Sequence, residues 1–120
     1  MKTFFAVLTL IFSSSMALAS GHYVGTTNRG ADCTVSLSTE QGLVGFYSGN
    51  TNFNFAISDA DVKSAVSSVT PLFLDSGHKT LNAKLALSFT KDGALEGAIY
   101  SQRTKFFPTV VKCLDLKKAE

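Results

Sequence analysis

Three sets of residues in this sequence have types and spacings that could do chemistry. They are the run Ser20-Gly21-His22, the cysteines at positions 33 and 113, and a scattered group of aromatic rings. If the mature chain starts at Ser20, its free amine, the amide nitrogens of Gly21 and His22 and the His22 imidazole supply four nitrogens in one plane. That donor set suits Cu(II) or Ni(II), which favour square-planar nitrogen coordination. A start at His22 would instead let its amine and ring pair with His78 in a two-histidine copper brace. His78, however, falls in the turn-like run Asp75-Ser76-Gly77-His78, where histidine is common. Apart from Cu(II) at the amino terminus no cofactor is expected, because two cysteines and two histidines stand at none of the usual zinc spacings.

The cysteines read as a disulfide. An even count in an exported chain is normally oxidised, and Cys33–Cys113 is the one intramolecular pairing on offer. Closing a loop of about eighty residues stabilises the fold by roughly 4–5 kcal/mol in the chain-entropy model. Oxidation also removes the thiol nucleophiles. Serine, aspartate and histidine are present without a nucleophile elbow or a triad-like local pattern. Asp59 and Asp61 are followed by no EF-hand spacing and read more simply as the acidic first turn of a helix. No pair of carboxylates is singled out for glycoside hydrolysis. The balance therefore leans away from an enzyme, and a secreted hydrolase without a recognisable motif ranks third among the functions considered.

The aromatic residues suggest binding. Phe46, Tyr47, Phe53, Phe55, Tyr100, Phe106 and Phe107 are more rings than one face of a small sheet needs. Neighbouring residues on a strand point to opposite faces, so Phe46-Tyr47 and Phe106-Phe107 each send one ring outward unless something covers it. Outward rings would form a binding patch, or line a barrel mouth that takes a small apolar ligand. The plainer alternative is that the helix and loops cover them.

These groups depend on the elements that place them. Met1-Lys2, the apolar run from Phe4 to Phe12 and Ala17-Leu18-Ala19 have the order of a secretory signal peptide. The run is too short to cross a bilayer as a helix, which takes roughly 20 residues. The expected organisation is thus a removed signal over 1–19 and a single β-rich domain over 20–120. No Asn-x-Ser/Thr acceptor occurs, which leans toward a bacterial source and a periplasmic or extracellular location. Without Lys2 the chain has ten basic and nine acidic residues, a balance that gives no general case for nucleic acid or an anionic membrane as partner.

From Tyr23 onward the hydropathy period is mostly two, the pattern of half-buried strands. Strands are expected over 22–27, around Cys33-Val35-Leu37, over 42–48 and around Phe53-Phe55-Ile57. Further strands follow over 81–90, over 94–101 with Leu95 and Ile99 inward and Glu96 outward, and over about 105–116. Lys91-Asp92-Gly93 is a hairpin signal, and Pro108 marks an edge or a bulge. One helix interrupts at about 59–69, with Ser58 as its cap, Val62, Ala65, Val66 and Val69 on its apolar face, and Pro71 beyond it. A disulfide between an early strand and the last one makes those strands neighbours. The expected fold is therefore mainly β: a small antiparallel lipocalin-like barrel, or a strongly curled meander, of about seven or eight strands with one short helix.

Gly21-His22-Tyr23-Val24-Gly25 opening a strand, with Cys33-Thr34-Val35-Ser36-Leu37 soon after, resembles the small lipocalin-like barrels of exported bacterial proteins, including periplasmic protease inhibitors. The resemblance implies shared architecture, and fold alone does not assign a function. The expected function is an exported binding protein whose partner is a small apolar ligand or another protein, with a protease as one such partner. The alternative is a copper-handling protein that uses His22.

Overall fold

A computed structural model describes residues 20–76, 82–103 and 108–119. Eight strands follow in chain order: β1 (Gly21–Thr27), β2 (Asp32–Ser38), β3 (Leu43–Ser48), β4 (Thr51–Ala56), β5 (Leu72–Asp75), β6 (Asn82–Phe89), β7 (Leu95–Arg103) and β8 (Pro108–Lys118). The helix α1 (Asp59–Ser68) lies between β4 and β5. All neighbours are antiparallel, in the order β4-β3-β2-β1-β8-β7-β6-β5. The first and last strands of the domain therefore pair in the middle of the sheet, and its two edges are β4 and β5. These edges come within 8 Å of each other without forming a ladder, so the sheet curls into a nearly closed barrel with its seam beside α1. The expected curled β architecture is what forms.

The period-two pattern explains the core. Tyr23, Cys33, Val35, Leu37, Val44, Phe46, Phe55, Leu85, Leu87 and Tyr100 alternate with exposed neighbours and are buried inside. In α1, Val62 and Ala65 are buried. Its N-terminus is capped as its sequence predicts, the Ser58 hydroxyl accepting from the Asp61 N–H at 3.1 Å. Asp59 pairs with Lys63 at 3.5 Å, so the two first-turn aspartates act as helix-start residues.

Four local expectations differ from the structure. Ile99 faces out, because β7 carries one extra residue where Ser88↔Gly97 is followed by Phe89↔Leu95. This bulge at Glu96 shifts the phase, so Leu95, Ala98 and Tyr100 face in. Val69 does not continue the apolar face of the helix. It adopts the left-handed conformation (φ 51°, ψ 46°) and ends α1 two residues before Pro71, while the Thr70 N–H reaches the Ala65 carbonyl at 3.1 Å. The short edge strand β5 has no counterpart among the expected strands. The last strand is described from Pro108 to Lys118, its expected start near 105 lying outside the described residues, and the bulge in β8 sits not at Pro108 but near Asp115 (φ 55°), opposite the step from Val24 to Thr26.

The disulfide joins Cys33 on β2 to Cys113 on β8, with a Cα–Cα distance of 6.0 Å. It passes over β1, the strand between them. Gly25 makes this crossing fit: a Cβ there would stand 2.5 Å from the Leu114 carbonyl oxygen and 3.3 Å from Cys113 Sγ.

Candidate functional site

Of the aromatic residues singled out above, the fold brings four together. Phe46 on β3, Phe53 and Phe55 on β4 and Tyr100 on β7 share the inner face. Phe46 stacks on Tyr100 at 5.2 Å between ring centres, nearly parallel, while Phe53 lies 4.9 Å from Phe55 and 6.3 Å from Tyr100. Phe46 is 0% exposed and Phe55 and Tyr100 are 1% exposed; Phe53 is half-buried. The Tyr100 hydroxyl donates to Gln102 Oε1 at 2.8 Å, so the one polar handle in the cluster is satisfied within the chain. Burial pushes the Tyr100 phenol above the usual tyrosine range, and does the same at Tyr23, where a backbone hydrogen bond at Leu95 partly opposes it. No buried side-chain polar atom among the described residues lacks a partner. The rings thus fill the barrel with mutual contacts.

Tyr47 goes to the other side, as strand alternation requires. Its ring folds back over Gly45, which is buried beneath it, and its hydroxyl donates to Asn54 Oδ1 at 3.3 Å. A Cβ at Gly45 would meet the Tyr47 ring and come 2.7 Å from Asn54 Oδ1. Phe106, Phe107 and His78 lie outside the described residues.

Ser20, Gly21 and His22 sit at the start of β1. Gly21 and His22 pair with Leu37 and Ser36 of β2, and the exposed His22 ring meets the Ser36 hydroxyl through Nδ1 at 2.9 Å. The Ser20 hydroxyl bonds that of Thr39 at 2.9 Å. A square-planar metal site at this end would require these three residues to leave the extended conformation and wrap around the ion. Among the described residues, no three His, Cys, Asp or Glu side chains gather as metal ligands.

The His22–Ser36 contact is a pair that sequence inspection misses, since fourteen positions separate the two residues and only strand register unites them. It resembles half of a nucleophile-and-base arrangement. Ser36, however, lies on a strand paired on both sides, to His22 and to Gly45. Its neighbouring N–H groups therefore serve the ladders and are not free to stabilise an oxyanion.

The outer surface divides into two unlike halves. On β1–β4 the outward side chains are mainly serine, threonine and asparagine with exposed Val24 and Leu43 among them, and none of these strands carries a lysine or arginine. Polar side chains of this half bond one another, as in His22–Ser36 and Tyr47–Asn54. On β5–β8 the outward residues include Lys84, Arg103 and Lys112 together with exposed Phe73, Ile99, Val110 and Leu114. Phe73 is 76% exposed. Phe73, Ala86, Ile99 and Lys112 form one lateral row across the four strands.

Two concavities meet at the barrel end that carries the β1–β2 and β3–β4 turns. One, of about 240 Å³, is lined by Asn82, Lys84, Ser101, Gln102, Arg103, Thr109 and Val110. The other, of about 140 Å³, is bounded by Arg29 in the β1–β2 turn, by Ser48, and again by Thr109 and Val110. A third, wider depression of about 750 Å³ follows the two bulges past Glu96, Leu114, Asp115 and Lys117.

No family model, no curated protein and no solved structure matches this chain. No helix among the described residues is long and apolar enough to cross a membrane.

Proposed function

We propose that this is an exported binding protein that grips a partner protein on the outside of the β5–β8 half. The observation that carries this reading is the contrast between a barrel interior filled by its own stacked rings and an outer face that exposes large apolar side chains beside Lys84, Arg103 and Lys112, which form no ion pair with a described acid. Apolar anchors with charges around them are the usual composition of a protein-binding surface, whereas a small-ligand barrel keeps room inside. The disulfide fits an oxidising compartment, in keeping with the signal-like start of the sequence. The resemblance to exported protease inhibitors makes a protease the first partner class to assay.

The test is amine-reactive cross-linking of the processed protein in the cells that export it, followed by mass spectrometry. The reading expects a second protein joined through Lys84, Lys112 or Lys117. A small molecule that co-purifies and is released only on denaturation, with no cross-linked protein, would overturn it in favour of a ligand inside the barrel.

Copper binding at Ser20-Gly21-His22 is the second reading, favoured by the exposed His22 ring at the very start of β1. Cu(II) titration of the processed protein tests it. Binding should vanish in His22→Ala and after acetylation of the amine, and survival of either change would rule out that donor set.

A further inference from the structure

Resting on the reading that the partner is a protein, we infer that the two concavities that meet at Val110 form one trough for an acidic peptide segment with an apolar side chain between its carboxylates. Lys84 and Arg103 stand on one side of Val110 and Arg29 on the other. No described carboxylate lines either concavity. The ion pair formed among the described residues is Lys63–Asp59, far along the chain, so none of the three trough cations is neutralised by a described acid. Asp75 is the exposed cross-strand neighbour of Lys84 in the β5–β6 ladder but does not line the trough. The other acids of this outer face, Glu96 and Asp115, border the depression beside Lys117 toward the opposite barrel end, which leaves Asp75 as the one described acid of the face near three trough cations. The surface is thus polarised along the strands, positive at the trough.

Register supplies the spacing. Val110, Ser101 and Lys84 are lateral neighbours on β8, β7 and β6. With strands about 4.8 Å apart, the Lys84 backbone lies roughly 10 Å from that of Val110. An extended chain advances at most about 3.3–3.6 Å per residue, so a carboxylate about three residues from a central apolar side chain reaches the cations. Ser101, Asn82 and Gln102 add hydroxyl and amide donors beside the two cations. Val110 is 48% exposed. This apolar floor between charges argues for a peptide over a sulfated glycan, which would have nothing to place there.

The test is fluorescence anisotropy of the disulfide-intact protein with a labelled heptapeptide carrying paired glutamates at each end and a central leucine. A glutamine-for-glutamate control and a sulfated oligosaccharide are run in parallel. The glutamate peptide should bind roughly tenfold or more tightly than the glutamine control. The affinity should fall by a similar factor in K84E/R103E and weaken steeply as salt is raised. Circular dichroism and the thermal midpoint establish that the variant is folded, and V110S is the independent probe of the apolar floor. Equal binding of the two peptides, equal binding by K84E/R103E, or preference for the oligosaccharide would overturn the inference. A partner still cross-linked to K84E/R103E through Lys112 or Lys117 would sink the trough alone, whereas a bound small molecule with no cross-linked protein would sink the parent reading.

Discussion

The two halves of the barrel are built on the same inner rule and differ on the outside. In both, every second residue is apolar and buried, and the Phe46–Tyr100 stack joins β3 to β7 across the interior. On the outside, β1–β4 present mainly short polar side chains, with Tyr47 laid over Gly45 and Val24 and Leu43 as their exposed apolar residues. The β5–β8 half presents Lys84, Arg103 and Lys112, which form no ion pair with a described acid, and more of the exposed large apolar residues, Phe73 above all. Exposed cations serve solubility by themselves; a row of large exposed apolar side chains is what solubility alone does not call for. The difference teaches that the core pattern dictates the fold while leaving the outer residues free, and the binding surface proposed above draws on the outer residues of one half.

The comparison breaks first if the halves come apart. The disulfide crosses from β2 to β8 over β1, where the halves meet. Its removal in C33S/C113S should lower unfolding free energy by up to roughly 4–5 kcal/mol in the chain-entropy limit, measured by urea denaturation. A loss below 1 kcal/mol would mean that the β1–β8 ladder alone holds the halves together. Next comes the shared interior: Phe46→Ala should cost about 3–5 kcal/mol, and Tyr100→Phe only about 1 kcal/mol, for the lost hydrogen bond to Gln102. Gly25→Ala tests the crossing itself. Its Cβ meets backbone and the disulfide, and overpacking of this kind costs about 1–3 kcal/mol.

The alkaline limb follows from the two phenols. Burial raises both Tyr23 and Tyr100 above their ordinary value of 10.0, so the folded state holds those protons more tightly than the unfolded chain. Their contribution is fully present below pH 10 and is lost as pH rises through the folded values. Thermal midpoints should therefore decline only above about pH 10, and Tyr100→Phe should soften that decline. The smallest effect sharpens the contrast between the outer faces. Ser36→Ala removes the His22 contact and should cost up to about 1 kcal/mol, whereas Lys84→Gln should stay within about 0.5 kcal/mol, as for a surface change that breaks no pair.

Much of this architecture could be read from the chain because it rests on local rules. Alternation marks β2, β4 and β6, Ser58 marks the start of α1, and a lone cysteine pair between an early and the last strand forces the curl. What escaped depends on pairing. Nothing near Ile99 announces that an extra residue at Glu96 will flip it outward, since the bulge exists only relative to β6. Val69 fits a helical face by spacing but takes up a conformation imposed by the chain's exit toward Pro71. The aromatic residues were legible as a group, yet their number alone could not separate a filled interior from an open one. The His22–Ser36 pair and the trough over Val110 arise from register and were invisible until the strands were aligned.

Backbone amide chemical-shift mapping with the cross-linked partner, or with the glutamate peptide, tests the central claim most directly. If the β5–β8 exterior is the binding face, perturbations should concentrate in residues 28–31, 82–88, 97–103 and 109–114, with Ser48 at the trough wall, and leave 34–38, 43–46 and 52–56 unmoved. Shifts centred on Phe46, Phe53, Phe55 and Tyr100, or on the serine- and asparagine-rich face of β1–β4, would contradict the account.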